Sequence, residues 1–223
     1  MEPCMKIVAL TDIHGAYELA EAIIRAENPD VVILGGDLTT VGSVREAEGA
    51  IHLFARSCPR IYAVAGNMDL PSHDDFHVKS GISLNGRGVV LEDVGFFGVS
   101  GGPVSPLRTP YELEEEEIGR RAMAGHDMVR QCARRIFVPH VPPFGTKVDI
   151  IHSGIHVGSH AVREFIEDYQ PDVVICGHIH EARGQDTIGA TKIVNCGPGL
   201  KGCYAVLEFP DQRVSIETRI RPV

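Results

Sequence analysis

The chain has 223 residues, 43% of them hydrophobic, and carries 21 Lys and Arg against 30 Asp and Glu for a formal net charge of −9 at pH 7. That length suits one α/β domain, residues 1–223, with a substantial core. The acidic balance argues against a nucleic-acid partner held through its phosphates, because that mode rewards clustered Lys and Arg, so a small anionic substrate would need positive charge supplied locally.

The six cysteines, Cys4, Cys58, Cys132, Cys176, Cys196 and Cys203, form no CxxC pair and mostly sit in apolar sequence, so reduced thiols in a cytoplasmic protein are expected. The opening Met1-Glu2-Pro3-Cys4-Met5-Lys6 has neither the long apolar stretch of a secretory leader nor the ~20 apolar residues of a membrane span. No membrane partner is expected.

In chain order, residues 6–10 are an apolar, β-branched run and predict a strand buried on both faces. Ala16, Leu19, Ala20, Ile23 and Ile24 then recur at the spacing of an amphipathic helix over 15–27. Residues 31–34 and 61–65 repeat the buried-strand pattern, and residues 96–100 read as a further strand before the loop 101–108. A helix is predicted over 109–132, with Thr109 as N-cap, Pro110 at the first helical position and Glu112 completing a capping box. Its acidic run Glu114–Glu117 reads as a solvated face favoured by the helix dipole. Residues 135–138 and 173–176 are again buried strands, separated by an amphipathic helix over 160–169 built on Val162, Phe165, Ile166 and Tyr169. Residues 191–194, 202–209 and 213–220 then read as a meander of short strands with a turn at Pro210-Asp211. Strands alternating with helices define an α/β layered sheet.

Each of the five buried runs is followed within about three residues by a metal-ligand type: Asp12 and His14, Asp37, Asn67, His140, then His178 and His180. In extended chain, residues i and i+2 point to the same side about 6.5–7 Å apart, so Asp12 with His14, and His178 with His180, can converge on one ion or on two neighbours. Each piece alone has a plainer reading. Asp37 could cap a helix starting near Ser43, Asn67 could serve a turn, and His140 could close a strand before Pro142-Pro143. Seven such residues all falling just beyond strand ends favour a common site.

The motifs Asp12-Ile13-His14, Gly35-Gly36-Asp37, Gly66-Asn67-Met68-Asp69, Pro139-His140-Val141-Pro142 and Gly177-His178-Ile179-His180 resemble, in order, those of the calcineurin-like metallophosphoesterase superfamily. His156-Val157-Gly158-Ser159 and Asn195-Cys196-Gly197-Pro198 look similar to its small prokaryotic phosphoesterases. The resemblance implies a four-layer α/β/β/α sandwich with two mixed sheets and two divalent metal ions. One ion would take Asp12, His14 and His180, the other Asn67, His140 and His178, with Asp37 bridging. Carboxylate, imidazole and amide donors without thiolate suit Mn²⁺, placed first, or Fe, Zn²⁺, Co²⁺ or Ni²⁺. Two ions about 3.5–4 Å apart would activate a shared hydroxide for in-line attack on phosphorus and neutralise the charge of an anionic ester.

The expected activity is therefore a phosphoesterase, a phosphodiesterase rather than a monoesterase, acting on a small phosphate ester. Asp37 and Asn67 would take catalytic as well as metal-holding parts. Many members of the superfamily carry His after the Asn to protonate the leaving group, whereas Met68 can donate nothing. Good leaving groups are then favoured unless another histidine substitutes, and His156 is the first candidate, set against a plain histidine ahead of a helix. Asp69 is expected to orient a metal-bound histidine. Arg108 could meet a substrate phosphate, against the default of an exposed arginine. His52, His73, His77, His126, His152 and His160 are mostly assigned to surface or helix positions. A non-catalytic scaffold and a nuclease are the alternatives, and a homo-oligomer is compatible with either.

Overall fold

The computed structural model describes residues 5–209 and 214–222, so Cys4 and the expected Pro210-Asp211 turn lie outside the described residues. The elements run β1 (Lys6–Leu10), α1 (Tyr17–Glu27), β2 (Val31–Gly35), α2 (Val44–Ala55), β3 (Ile61–Val64) and α3 (Ser72–Lys79). Next come β4 (Gly88–Leu91), β5 (Val94–Val99), β6 (Gly102–Pro103), β7 (Glu112–Leu113), α4 (Glu115–Val129) and β8 (Arg134–Pro139). The remainder are α5 (His160–Tyr169), β9 (Val173–Cys176), β10 (Gly184–Ile188), β11 (Thr191–Asn195), β12 (Cys203–Glu208) and β13 (Ser215–Ile220).

Two mixed sheets result, ordered β13-β12-β1-β2-β3 and β10-β11-β9-β8-β5-β4. In the first, β1, β2 and β3 run parallel while β12 returns antiparallel beside β1, pairing Lys6 with Glu208. In the second, β5, β8, β9 and β11 are parallel, and the edges β4 and β10 are antiparallel. One apolar core lies between the sheets, joining Ile7, Ile33 and Leu207 to Phe96, Ile136 and Ile175. A second unites the opposite face of the first sheet with α1 and α2 through Leu10, Ile24 and Phe54. The third unites the far face of the other sheet with α4 and α5 through Phe137, Ile118 and Phe165. Burial on both faces is why these strands read as unbroken apolar runs.

Several expectations are corrected. The final strands are not a meander: β11 lies in the second sheet beside β9, while β12 and β13 complete the first. The helix predicted over 109–132 begins only at Glu115 and stops at Val129. Glu112 instead closes a turn, its Oε1 accepting from Thr109 N, Thr109 Oγ1 and Ser105 Oγ at 2.8, 3.1 and 2.8 Å. The carbonyls of Tyr111 and Leu113 meanwhile accept from Gly102 and Val104. Backbone groups committed to that ribbon cannot enter a helix.

The acidic run is only partly a solvated face. Glu115 accepts from Ser159 Oγ at 2.5 Å and from the amides of His160 and Ala161, so it caps α5, and Glu117 pairs with Arg120 and Arg121. Of the six remaining histidines, His52, His73, His77, His126 and His160 lie on helices and His152 is exposed, as expected, with His73, His77 and His126 on buried helix faces.

Candidate metal centre

The carboxyl ends of β1, β2, β3, β8 and β9 bring all seven predicted donors to one rim. Asp12 is buried 1% exposed, accepts the backbone amide of His178, and stands 3.3 Å from His180 Nε2. His14 turns Nδ1 to Thr40 Oγ1 at 2.9 Å, leaving Nε2 facing inward. Donor atoms of Asp12, His14 and His180 all lie within 4.8 Å of one another, as do those of Asp12, Asp37 and His140.

On the other side, Asn67 Oδ1 is the meeting point of two imidazoles, 3.0 Å from His140 Nε2 and 2.8 Å from His178 Nδ1. His140 donates Nδ1–H to Gly35 O at 2.9 Å, so its Nε2 is the atom offered to the centre. Between the two groups sits Asp37, its Oδ2 3.6 Å from both His14 Nε2 and His140 Nε2 while Oδ1 accepts the Met68 amide at 2.7 Å. Glycine lets these loops meet: a Cβ on Gly66 would collide with Asp37, and one on Gly177 with Asp12 and Thr11.

Backbone strain concentrates at the same place. Asp12, His14, Asp37 and His178 have φ of 53°, 46°, 52° and 65°, in the left-handed region that non-glycine residues seldom occupy. Such conformations cost about 1–3 kcal/mol each and persist only when surroundings over-determine them. Here Asp12 N donates to Gly36 O, His14 N to Asp37 O and Gly177 N to His140 O at 2.9–3.0 Å.

The electrostatics fit a cation. Burial opposes charge on His140, but the Asp37 and Asp12 carboxylates raise it to about 9. Burial and the neighbouring His140 instead push His178 down to about 4. Burial would raise Asp12, yet the bond to His180 and the charge of His140 hold it below the usual carboxylate range. Two buried carboxylates thus demand positive charge, which an ion among these oxygen and nitrogen donors can supply in place of a proton.

Asp69 does not orient a histidine ligand as expected. Its buried carboxylate accepts from Leu38 N, Thr39 N, Thr39 Oγ1 and Gly66 N at 3.2, 2.9, 2.8 and 2.9 Å, tying the Asp37 loop to the Asn67 loop. Arg108 is exposed. His156 is not among the donors that meet at the rim; it stands on the segment between the His140 loop and α5, with Nδ1 2.7 Å from Asp149 Oδ1.

Asp149 and Asp74 were not singled out by sequence reasoning. Asp149 is fully buried and also accepts from the amides of Gly145, Thr146 and Gly158. Its only local signal is Thr146 three residues earlier. Asp74 accepts from Tyr111 OH, Asn85 Nδ2 and Ser100 Oγ at 2.6–2.7 Å, and Tyr111 N in turn donates to Asn67 O. These partners are remote in sequence, so no motif marks them.

Facing sheets whose strand ends converge carboxylates, imidazoles and one amide oxygen define a candidate metal centre suited to oxyanion chemistry. Residues 5–182 match the calcineurin-like phosphoesterase family, and the chain belongs to that family. It is 33% identical over 199 residues to protein MJ1162 of Methanocaldococcus jannaschii, covering 87% of this chain and 88% of that one. Its fold is similar to that of TT1561 from Thermus thermophilus, with a TM-score of 0.73 at 18% identity, covering 96% and 99% of the two chains. It is also similar to GAP50, the anchor in the inner membrane complex of Plasmodium, with a TM-score of 0.64 at 13% identity over 97% of this chain and 84% of that one. Among the described residues, no helix is long and apolar enough to cross a membrane.

Proposed function

We propose that the chain is a dinuclear metal-dependent phosphodiesterase of the cytoplasm, acting on a small phosphate ester. The observation that carries this reading is Asp37 Oδ2 standing 3.6 Å from both His14 Nε2 and His140 Nε2, one imidazole from each donor group. Asp12, His14 and His180 would hold one ion, Asn67, His140 and His178 the other, with Asp37 shared. Manganese is the first choice, and iron, zinc, cobalt and nickel also suit this donor set. Two such ions lower the pKa of water, clamp phosphoryl oxygens and neutralise charge gathering on phosphorus.

The chain's own residues supply the rest. Asp37, fixed by the Met68 amide, and Asn67, with both imidazoles against its amide oxygen, set where the phosphoryl group can lie. Beside Asn67 the Met68 side chain offers no proton, which favours diesters over alkyl monoesters. Free thiols at Cys58, Cys132, Cys176, Cys196 and Cys203 support the cytoplasmic assignment. The net charge of −9 disfavours nucleic acid.

A non-catalytic scaffold is the second reading, since the likeness to GAP50 shows that this fold also occurs in a protein described as an anchor. One experiment separates them: metal content by mass spectrometry together with hydrolysis of bis(p-nitrophenyl) phosphate, with and without chelator. The enzyme reading expects two metal equivalents and chelator-sensitive turnover restored by Mn²⁺. Metal-loaded protein without turnover leaves the scaffold.

A further inference from the structure

We propose that Asp149 and His156 form a carboxylate–imidazole dyad that delivers the proton to the leaving group, filling the role that Met68 leaves open. The proposal rests on the phosphodiesterase reading and adds to it a named donor and the residue that positions it.

His156 closes a short hairpin, its backbone bridged to Ile150, while Ile151 N donates to Ile155 O at 3.0 Å. That hairpin is fastened to both loops that carry histidines of the metal centre. Ser159 N donates to Pro142 O and Phe144 N to Ser159 O, joining it to the His140 loop. Asn195 Nδ2 spans Val148 O and Ile179 O at 3.2 and 2.9 Å, and His152 N donates to Glu181 Oε1, joining it to the His178–His180 turn.

Asp149 cannot swing, because three backbone amides and Thr146 Oγ1 also donate to its oxygens. Burial would raise this carboxyl, but the bond from His156 and those amides hold it below the usual range. A permanent acceptor at Nδ1 places a proton there and turns Nε2 outward. Among the described residues His156 Nε2 makes no hydrogen bond, and the side chain is 35% exposed against 0% for Asp149. The ring is braced by Phe144, 5.8 Å away between centroids and itself stacked on His160 at 4.0 Å. Of the histidines outside the metal centre, His73, His77 and His126 are buried and His52, His152 and His160 are exposed. His156 alone combines a fixed buried carboxylate with an accessible second nitrogen.

A water oxygen forms the new bond to phosphorus, and the ester P–O bond breaks with its electron pair left on the departing oxygen. That oxygen takes the proton from Nε2 of protonated His156. The proton released by the attacking water then restores the ring.

The test compares a p-nitrophenyl with an alkyl leaving group in otherwise matched diesters, using Mn²⁺-loaded protein of measured metal content. His156→Gln is expected to lose about 10²–10⁴-fold on the alkyl ester, the usual worth of general acid catalysis, and only a few-fold on the aryl ester. Asp149→Asn should show the same asymmetry to a smaller degree, and added imidazole should partly restore alkyl-ester turnover in His156→Ala with metal content unchanged. Equal losses on both esters, or an unchanged alkyl rate, overturn the dyad while leaving the phosphodiesterase standing. Metal-loaded parent protein that hydrolyses neither ester overturns both.

Discussion

Asp69→Asn tests how the two halves of the metal centre are held in register. The parent carboxylate accepts four hydrogen bonds in a site 1% exposed, two from the Asp37 side at Thr39 and one each from Leu38 and Gly66. Burial would raise its pKa, yet His73 and the surrounding amides bring it down to about 2, so it is ionised throughout the neutral range. Asparagine keeps one oxygen, enough for the Thr39 pair, and turns an NH₂ group toward the amides of Leu38 and Gly66. Two buried N–H groups without acceptors, at about 1–3 kcal/mol each, give a loss of about 4 kcal/mol. For a chain of this length that corresponds to a melting temperature lower by about 8–16 °C. Calorimetry of the metal-free protein measures it directly. Metal titration should show a parallel loss of about 10–100-fold in affinity, because the loops bearing Asp37 and Asn67 are no longer tied together. A melting temperature within about 2 °C of the parent, with unchanged metal affinity, refutes the reasoning.

Glu27 is held down to about 2: burial alone would raise it, but bonds from Lys6, Tyr204 and Arg219 outweigh that. Because the folded value lies below the usual 4.5, its stabilisation is complete above pH 4.5 and is lost as pH falls from there through about 2. Glu27→Gln should therefore be less stable than the parent by about 1.5–3 kcal/mol at pH 7, with a smaller gap at pH 3, by urea unfolding; a gap independent of pH contradicts this. Gly66→Ala drives a methyl group into Asp37. It should cost about 1–3 kcal/mol and reduce bound metal below the parent stoichiometry, and full metal content with unchanged stability would show that the loops can yield.

Much of the architecture was legible because of how it is buried. Strands β1, β2, β8 and β9 carry unbroken apolar runs since each has a core on both faces. The edge strand β10, Gly184–Ile188, was illegible because its residues alternate between partial burial and exposure and its sequence is mostly polar. Gly95 and Gly98 obscured the bounds of β5, where α4 and the neighbouring β8 leave no room for a larger residue. The donors at the rim were visible since each follows a strand directly. Asp69 stands out in the sequence but its partners do not, because a residue two places after Asn67 gives no sign that its bonds go to Leu38 and Thr39 about 30 positions earlier. Glu115 likewise caps a helix some 45 residues onward, and only the folded chain reveals it.

The pairing of Lys6 with Glu208 means that β1 waits for a neighbour made long after it. At typical ribosomal speeds of about 5–20 residues per second, that delay is roughly 10–40 s. Throughout it, the middle strand of the future first sheet has one bare apolar edge, the kind of surface that templates aggregation. The amides of Gly199 and Leu200, which bind the carbonyls of Thr11 and Asp12, arrive in the same late interval. A nascent chain of this protein therefore holds an early-made carboxylate loop unfinished until residues 199–208 have been made, and its yield in the cell depends on how well that edge is shielded meanwhile.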